Sequence, residues 1–234
     1  MCYNAFAAKP ADCFAPIKAL EGNMKYTNLI WDWDGTLYNS YPTMLQSFYE
    51  VLSGHGFNFS KERLLMEMKK EVKGFLKEIC RFSELDVENL YKEYQKYSNK
   101  YENEQSLKPF SGLMPVLERL KALGCRHYVF THRDNKAREI CQSQGYEGLF
   151  SGWLTREDEG FARKPSGEGL RYLMKKYSLD PKACLMIGDR EIDMASAKNA
   201  GIRGLLFEPD FFAVTSSDSP KTAEELFEKL VSDF

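Results

Sequence analysis

No run of the 234-residue sequence is long and apolar enough to cross a bilayer as a helix, so no membrane partner is expected. Nor is there an excess of one charge. The 32 basic residues face 34 acidic ones, which leaves no electrostatic footprint for nucleic acid. Paired cysteines are missing too. Cys2, Cys13, Cys80, Cys125, Cys141 and Cys184 are scattered without C-x-x-C spacing, which excludes a disulfide framework and a thiolate zinc site. They read as reduced thiols of a cytoplasmic protein. Residues 1–23 lack both helical and strand periodicity, and no basic start leads into an apolar core. A loose extension is expected there rather than a signal peptide, with the folded unit beginning near Met24.

What remains is a globular composition, 43% apolar and 28% charged. From Pro109 onward, helical and strand patterns alternate. Strands are expected at 126–130, near 149–154, at 184–187 and at 203–207, and helices at 113–123, 135–144, from Pro165, at 192–199 and at 222–231. With a first strand ending at Trp31, this predicts an α/β fold: a Rossmann-like, doubly wound parallel sheet. Residues 39–108 break the alternation with a helical block. They predict a small α-helical cap domain inserted into a core of residues 24–38 and 109–234. Within the block, Ser60 and Ser83 read as helix starts. Tyr94, Tyr97 and Tyr101 read as a packing stripe, with pocket lining as the alternative. Lys61, Arg63, Lys69, Lys70, Lys73, Lys77 and Arg81 read as a solvated face.

The chemistry concentrates at Ile30-Trp31-Asp32-Trp33-Asp34-Gly35-Thr36. An apolar strand ends on an acid, with a second acid two residues later on the same side. In open α/β sheets, ligands sit beyond the carboxyl ends of the strands. Two carboxylates so close need a cation, a base or a shared proton, and Mg²⁺ is the simplest answer. An ordinary Asp-Gly turn is the competing reading. Three more polar groups fall at strand ends or helix starts: Thr131, Lys164 before Pro165, and Gly188-Asp189 followed by Asp193.

Together these motifs resemble the haloacid dehalogenase-like hydrolases, in the branch of phosphoglycolate phosphatase and β-phosphoglucomutase, from about Lys25 to Phe207. The resemblance implies Asp32 as the nucleophile toward phosphorus and Asp34 as the acid and base that serves the leaving oxygen and water. It implies that Thr131 holds a phosphoryl oxygen through hydroxyl and amide at a helix start. Lys164 is implied to supply positive charge to the transition state. Mg²⁺ is implied between Asp32, the carbonyl of Asp34, and Asp189, with Asp193 orienting Lys164 or a metal-bound water.

Two positions depart from the family's usual pattern. Arg190-Glu191 stand where a small hydroxyl residue is frequent, and His132-Arg133 follow Thr131 where Asn is common. Arg133 reads as solvated, with contact to a substrate anion as the alternative. The implied function is a Mg²⁺-dependent phosphatase of a small phosphorylated metabolite. A phosphomutase of the same fold is the first alternative, and a catalytically silent binding module the second.

Overall fold

The computed structural model describes residues 24–105, 107–209 and 218–232, leaving the side chains of 103–105 aside. The proposed extension at 1–23 lies outside the described residues. Five strands form one parallel sheet, β1 (Asn28–Trp31), β2 (Arg126–Phe130), β3 (Phe150–Leu154), β4 (Cys184–Gly188) and β5 (Arg203–Leu206), in the order β3-β2-β1-β4-β5. β1 is central, pairing Ile30 with Tyr128 on one side and with Met186 on the other. All four of its residues are buried.

Strand periodicity divides those residues between two cores. Leu29 and Trp31 join a cluster built with α5 (Leu113–Ala122), α6 (Lys136–Ser143) and α9 (Ala223–Ser232). Ile30 points the other way, into a cluster with α7 (Glu168–Lys176) and α8 (Glu191–Ala200). Helices thus cover both faces, as expected for a doubly wound sheet. The connections leaving β1 and β4 pack on opposite faces. The crevice between the carboxyl ends of these two neighbouring strands is therefore the topological switch point.

Four helices occupy the interruption, α1 (Tyr41–Gly54), α2 (Lys61–Lys70), α3 (Val72–Cys80) and α4 (Val87–Gln105). They bury an apolar cluster of their own, with Phe48, Leu64, Met68, Phe75 and Leu90 at its centre. Tyr94 packs in that cluster too, edge-on to Phe48. The two chain segments that join the insert to the sheet are tied together, Asn39 N–H to Lys108 O and Phe110 N–H to Leu37 O, both at 3.1 Å.

Several boundaries differ from expectation for local reasons. Ser60 does cap α2, accepting from Arg63 N–H. The helix expected to carry Val72 breaks at Glu71, whose φ of −167° and ψ of 116° are extended, so Val72 begins α3. The last helix of the insert starts at Val87 rather than after Ser83, with the Asp86 carboxylate accepting from Asn89 N–H. α7 begins at Glu168, three residues beyond Pro165, which follows Lys164 through a cis peptide.

Candidate active site

β1 delivers Asp32 to the crevice, its amide still donating to Ile187 O of β4 at 2.8 Å. Beyond it the chain turns tightly: Leu37 and Tyr38 N–H both reach back to Trp33 O, and the Trp33 and Tyr38 rings stack at 3.8 Å. Gly35 makes the turn possible. Its φ is +75°, and a Cβ there would lie 2.2 Å from the Tyr41 ring and 2.7 Å from the Asp189 carboxylate.

Asp32 is almost wholly buried, and so is its partner Lys164. Lys164 Nζ donates to Asp32 Oδ1 at 2.6 Å and to Asp193 Oδ1 at 2.7 Å. Asp193 is held in turn, its Oδ2 accepting from Arg190 N–H at the start of α8. The second oxygen of Asp32, Oδ2, is buried and has no hydrogen-bond partner. Burial pushes the Asp32 carboxyl up to about 7, against the pull of Lys164, and the charge of Asp193 adds to the rise.

Asp189 follows β4 and accepts from Tyr41 Oη at 2.7 Å and from Thr36 Oγ1 at 3.2 Å. It also pairs with Lys69 Nζ at 3.2 Å. Burial raises its carboxyl above the usual range, partly offset by Lys69 and Arg190. The expectation of a solvated face fails at Lys69, whose side chain is only 11% exposed and whose Nζ lies 5.2 Å above the Tyr41 ring. The Arg190 guanidinium stands in the field of Asp32, Asp189 and Asp193, and its Nε is buried without a partner. The carboxylates are thus matched by basic side chains of the protein itself, not left uncompensated as their crowding suggested.

Arg133 corrects the sequence reading most sharply. It is not solvated, being only 11% exposed. It clamps Asp34 from two nitrogens, Nη2 to Oδ1 at 2.7 Å and Nε to Oδ2 at 3.3 Å. Its third contact, Nη1 to Glu102 Oε2 at 2.8 Å, reaches α4 of the insert. Burial pushes the Asp34 carboxyl up, but the charge and hydrogen bonds of Arg133 outweigh it and hold the group below the ordinary carboxylate range.

Thr131 is buried at the end of β2, close to where the sequence put it, but the expected amide contact is not open. Its N–H donates to Leu154 O, and its hydroxyl accepts from Arg133 N–H. α6 begins only at Lys136, so Thr131 is not at a helix start. Its hydroxyl keeps an O–H donor for a ligand. Next to it, His132 lines the cavity with Nε2 unpartnered, and burial pushes its ring down to about 3, so it is neutral.

Three carboxylates, Asp32, Asp189 and Asp193, offer oxygens within 4.8 Å of one another. The hard oxygen donors of this buried cluster suit a divalent cation of the Mg²⁺ type. The side chain of Asp34 is outside that group, turned to Arg133. Above the crevice, a cavity of about 580 Å³ separates core and insert, reached by Asp34, Lys164 and Arg190 from below and by Tyr91, Tyr94 and Asn99 of α4 from above. Tyr94 therefore both packs and lines.

Tyr41, Lys69 and Glu102 are the contributors that sequence reasoning missed. Each lies on an amphipathic helix, where nothing in the local pattern separates it from an ordinary surface residue.

Comparison with known proteins gives a consistent picture. The family model for haloacid dehalogenase-like hydrolase matches residues 29–207. A 5'-nucleotidase of Pseudomonas aeruginosa is 28% identical over 184 residues, covering 76% of this chain and 81% of that protein. The pyrophosphatase PpaX of Oceanobacillus iheyensis is 24% identical over 184 residues, covering 77% and 82%. The structure of a subfamily IA hydrolase from Geobacter sulfurreducens superposes with a TM-score of 0.65 at 20% identity, covering 90% of this chain and 98% of that one. At that identity the superposition speaks for the fold.

Proposed function

From a chain that belongs to the haloacid dehalogenase-like hydrolase family, we propose a Mg²⁺-dependent phosphatase acting on a small phosphorylated metabolite. The relatives' names, a 5'-nucleotidase and a pyrophosphatase, support phosphoryl transfer to water. One observation carries the mechanism: Asp32 has one oxygen pinned by Lys164 while the other is buried, unpartnered and free to react.

In this reading Asp32 Oδ2 attacks phosphorus, the bond from phosphorus to the leaving oxygen breaks, and an aspartyl phosphate forms. Asp34, once it has left Arg133 and taken up a proton, gives that proton to the leaving oxygen and then takes one from the water that attacks the phosphoenzyme. Inorganic phosphate leaves and Asp32 is regenerated. Lys164 holds Asp32 in place and offsets charge at the phosphoryl oxygens, while Asp193 holds Lys164. Asp32 and Asp189, with the Asp34 carbonyl, would hold the cation. Bound Mg²⁺ supplies charge neutralisation at the phosphoryl group.

The insert acts as a cap, shielding the reaction from bulk water. The free thiols Cys80, Cys125, Cys141 and Cys184, three of them buried, suit a reducing compartment such as the cytoplasm.

The test is phosphate release from sugar phosphates, nucleoside monophosphates, phosphoglycolate and pyrophosphate, with Mg²⁺ and with EDTA. Turnover that EDTA abolishes and Mg²⁺ restores is expected. Full activity in a metal-free preparation, or no release from any compound, would refute the proposal.

A further inference from the structure

Asp34 cannot serve a leaving oxygen while both of its own oxygens are committed to Arg133. One contact at least must be given up when substrate enters. The buried guanidinium would then be left with at least one unfilled donor, and an unfilled donor on a buried charge is costly. Two other basic side chains of the cavity wall face reacting groups, but Lys164 is spent on Asp32 and Asp193, and Arg190 stands in the field of Asp32, Asp189 and Asp193, on the phosphoryl side. Arg156 pairs with Asp134, Lys136 with Glu102, Lys70 with Glu67 and Lys73 with Glu88, none of which the reaction requires. Arg133 also lines the cavity, on the side where the leaving group must lie beyond Asp34.

We propose that Arg133 is a specificity-determining residue: an anionic group on the leaving side of the substrate replaces Asp34 on its guanidinium and so frees Asp34. The enzyme accordingly favours phosphate esters whose leaving alcohol carries a second negative charge, a carboxylate or another phosphate. This rests on the phosphatase reading above, with Asp34 as the proton carrier. A planar guanidinium fits the exchange because carboxylate and phosphate both match its paired N–H donors. Glu102 on α4 keeps Arg133 aimed from the opposite side.

The experiment compares size-matched substrates that differ by the anion, 2-phosphoglycolate against ethyl phosphate and 3-phosphoglycerate against glycerol 3-phosphate, by kcat/KM with Mg²⁺. The wild-type protein should prefer the acid in at least one pair by about tenfold or more, the scale of one charge-assisted contact. In Arg133→Met that ratio should collapse at least tenfold, with the acid substrate losing and the uncharged one gaining, because Asp34 is no longer held. Arg133→Lys, which keeps the charge but not the fork, should retain part of the preference. It also serves if the methionine variant fails to fold. A wild-type ratio near one in both pairs, or equal losses on both members, would overturn the proposal. Failure to release phosphate from all four, and from p-nitrophenyl phosphate as well, would instead overturn the phosphatase reading beneath it.

Discussion

The two halves of the site draw their counter-charges from different parts of the molecule. Around Asp32 everything comes from the α/β layer: Lys164 from the segment before α7 and Asp193 from α8. Around Asp34 and Asp189, part of the compensation arrives from the helical insert, as Glu102 on Arg133 and as Tyr41 and Lys69 on Asp189. The first half is finished when the sheet folds. The second is complete only when the insert sits on it. The position of the insert and the readiness of Asp34 and Asp189 are therefore linked by ordinary ion pairs.

Breaking the inner half should cost most. Lys164→Met leaves Asp32 and Asp193 facing each other in a buried site, and removing one partner of a buried ion pair typically costs about 3–5 kcal/mol. Urea unfolding would measure it. A loss near zero would mean the inner half is not the fixed frame described here.

A second effect arises beneath the sheet. Trp31, next to Asp32, donates its indole N–H to His127 Nδ1 at 3.1 Å, so His127 Nε2 carries the proton and donates to Leu117 O at 2.9 Å. Burial pushes the His127 ring down to about 4. Folding therefore opposes its protonation. Between pH 6.5 and 4 the unfolded chain binds the extra proton, and stability falls as pH falls, by up to about 3 kcal/mol from this group. Asp32, raised to about 7, has the opposite sign, taking up a proton in the folded state as pH falls. His127→Gln keeps one donor and one acceptor but does not titrate. Subtracting its pH–stability curve from the wild-type curve removes the Asp32 contribution common to both. The difference should slope downward toward acid, and a flat difference would contradict the assignment.

The smallest effect belongs to the insert-linked half. Lys69→Met removes a nearly buried partner but leaves Asp189 held by the Tyr41 and Thr36 hydroxyls and in the field of Arg190, so its stability cost should stay below the about 3 kcal/mol at which loss of a buried partner usually begins. Freed of that competitor, Asp189 should bind Mg²⁺ about fivefold more tightly, equivalent to about 1 kcal/mol, in calorimetric titration. Weaker Mg²⁺ binding would show that Lys69 supports the cation site instead.

The same division governed what could be read in the sequence. The sheet was legible because its strands end on chemically distinctive residues, Asp32, Thr131 and Asp189, and because its helices carry long apolar periods. Strand bounds at 126–130 agree fully. The partners of Asp34 and Asp189 were not legible. Lys69 looks like any lysine beside Lys70, and Glu102 like any acid on a polar helix. Both depend on how the insert is docked, a long-range event without a local pattern. Arg133 was misjudged for the same reason: its burial is created by α4, about thirty residues upstream. At Thr131 the error was different. The amide was promised to a ligand, but the parallel pairing of β2 with β3 extends one residue further and uses it.

Asp32, not Asp34, is the residue proposed to bond to phosphorus. Asp34→Asn should slow both half-reactions, general acid–base catalysis being worth about a hundred- to ten-thousand-fold. With p-nitrophenyl phosphate, whose good leaving group needs little protonation, attack by water should become the slower step. Rapid quenching followed by peptide mass spectrometry should then find one added phosphoryl group on the peptide that contains Asp32, and Asp32→Asn should carry none and turn over nothing. A phosphoryl group on a serine or histidine, or normal turnover by Asp32→Asn, would show that Asp32 is not the nucleophile.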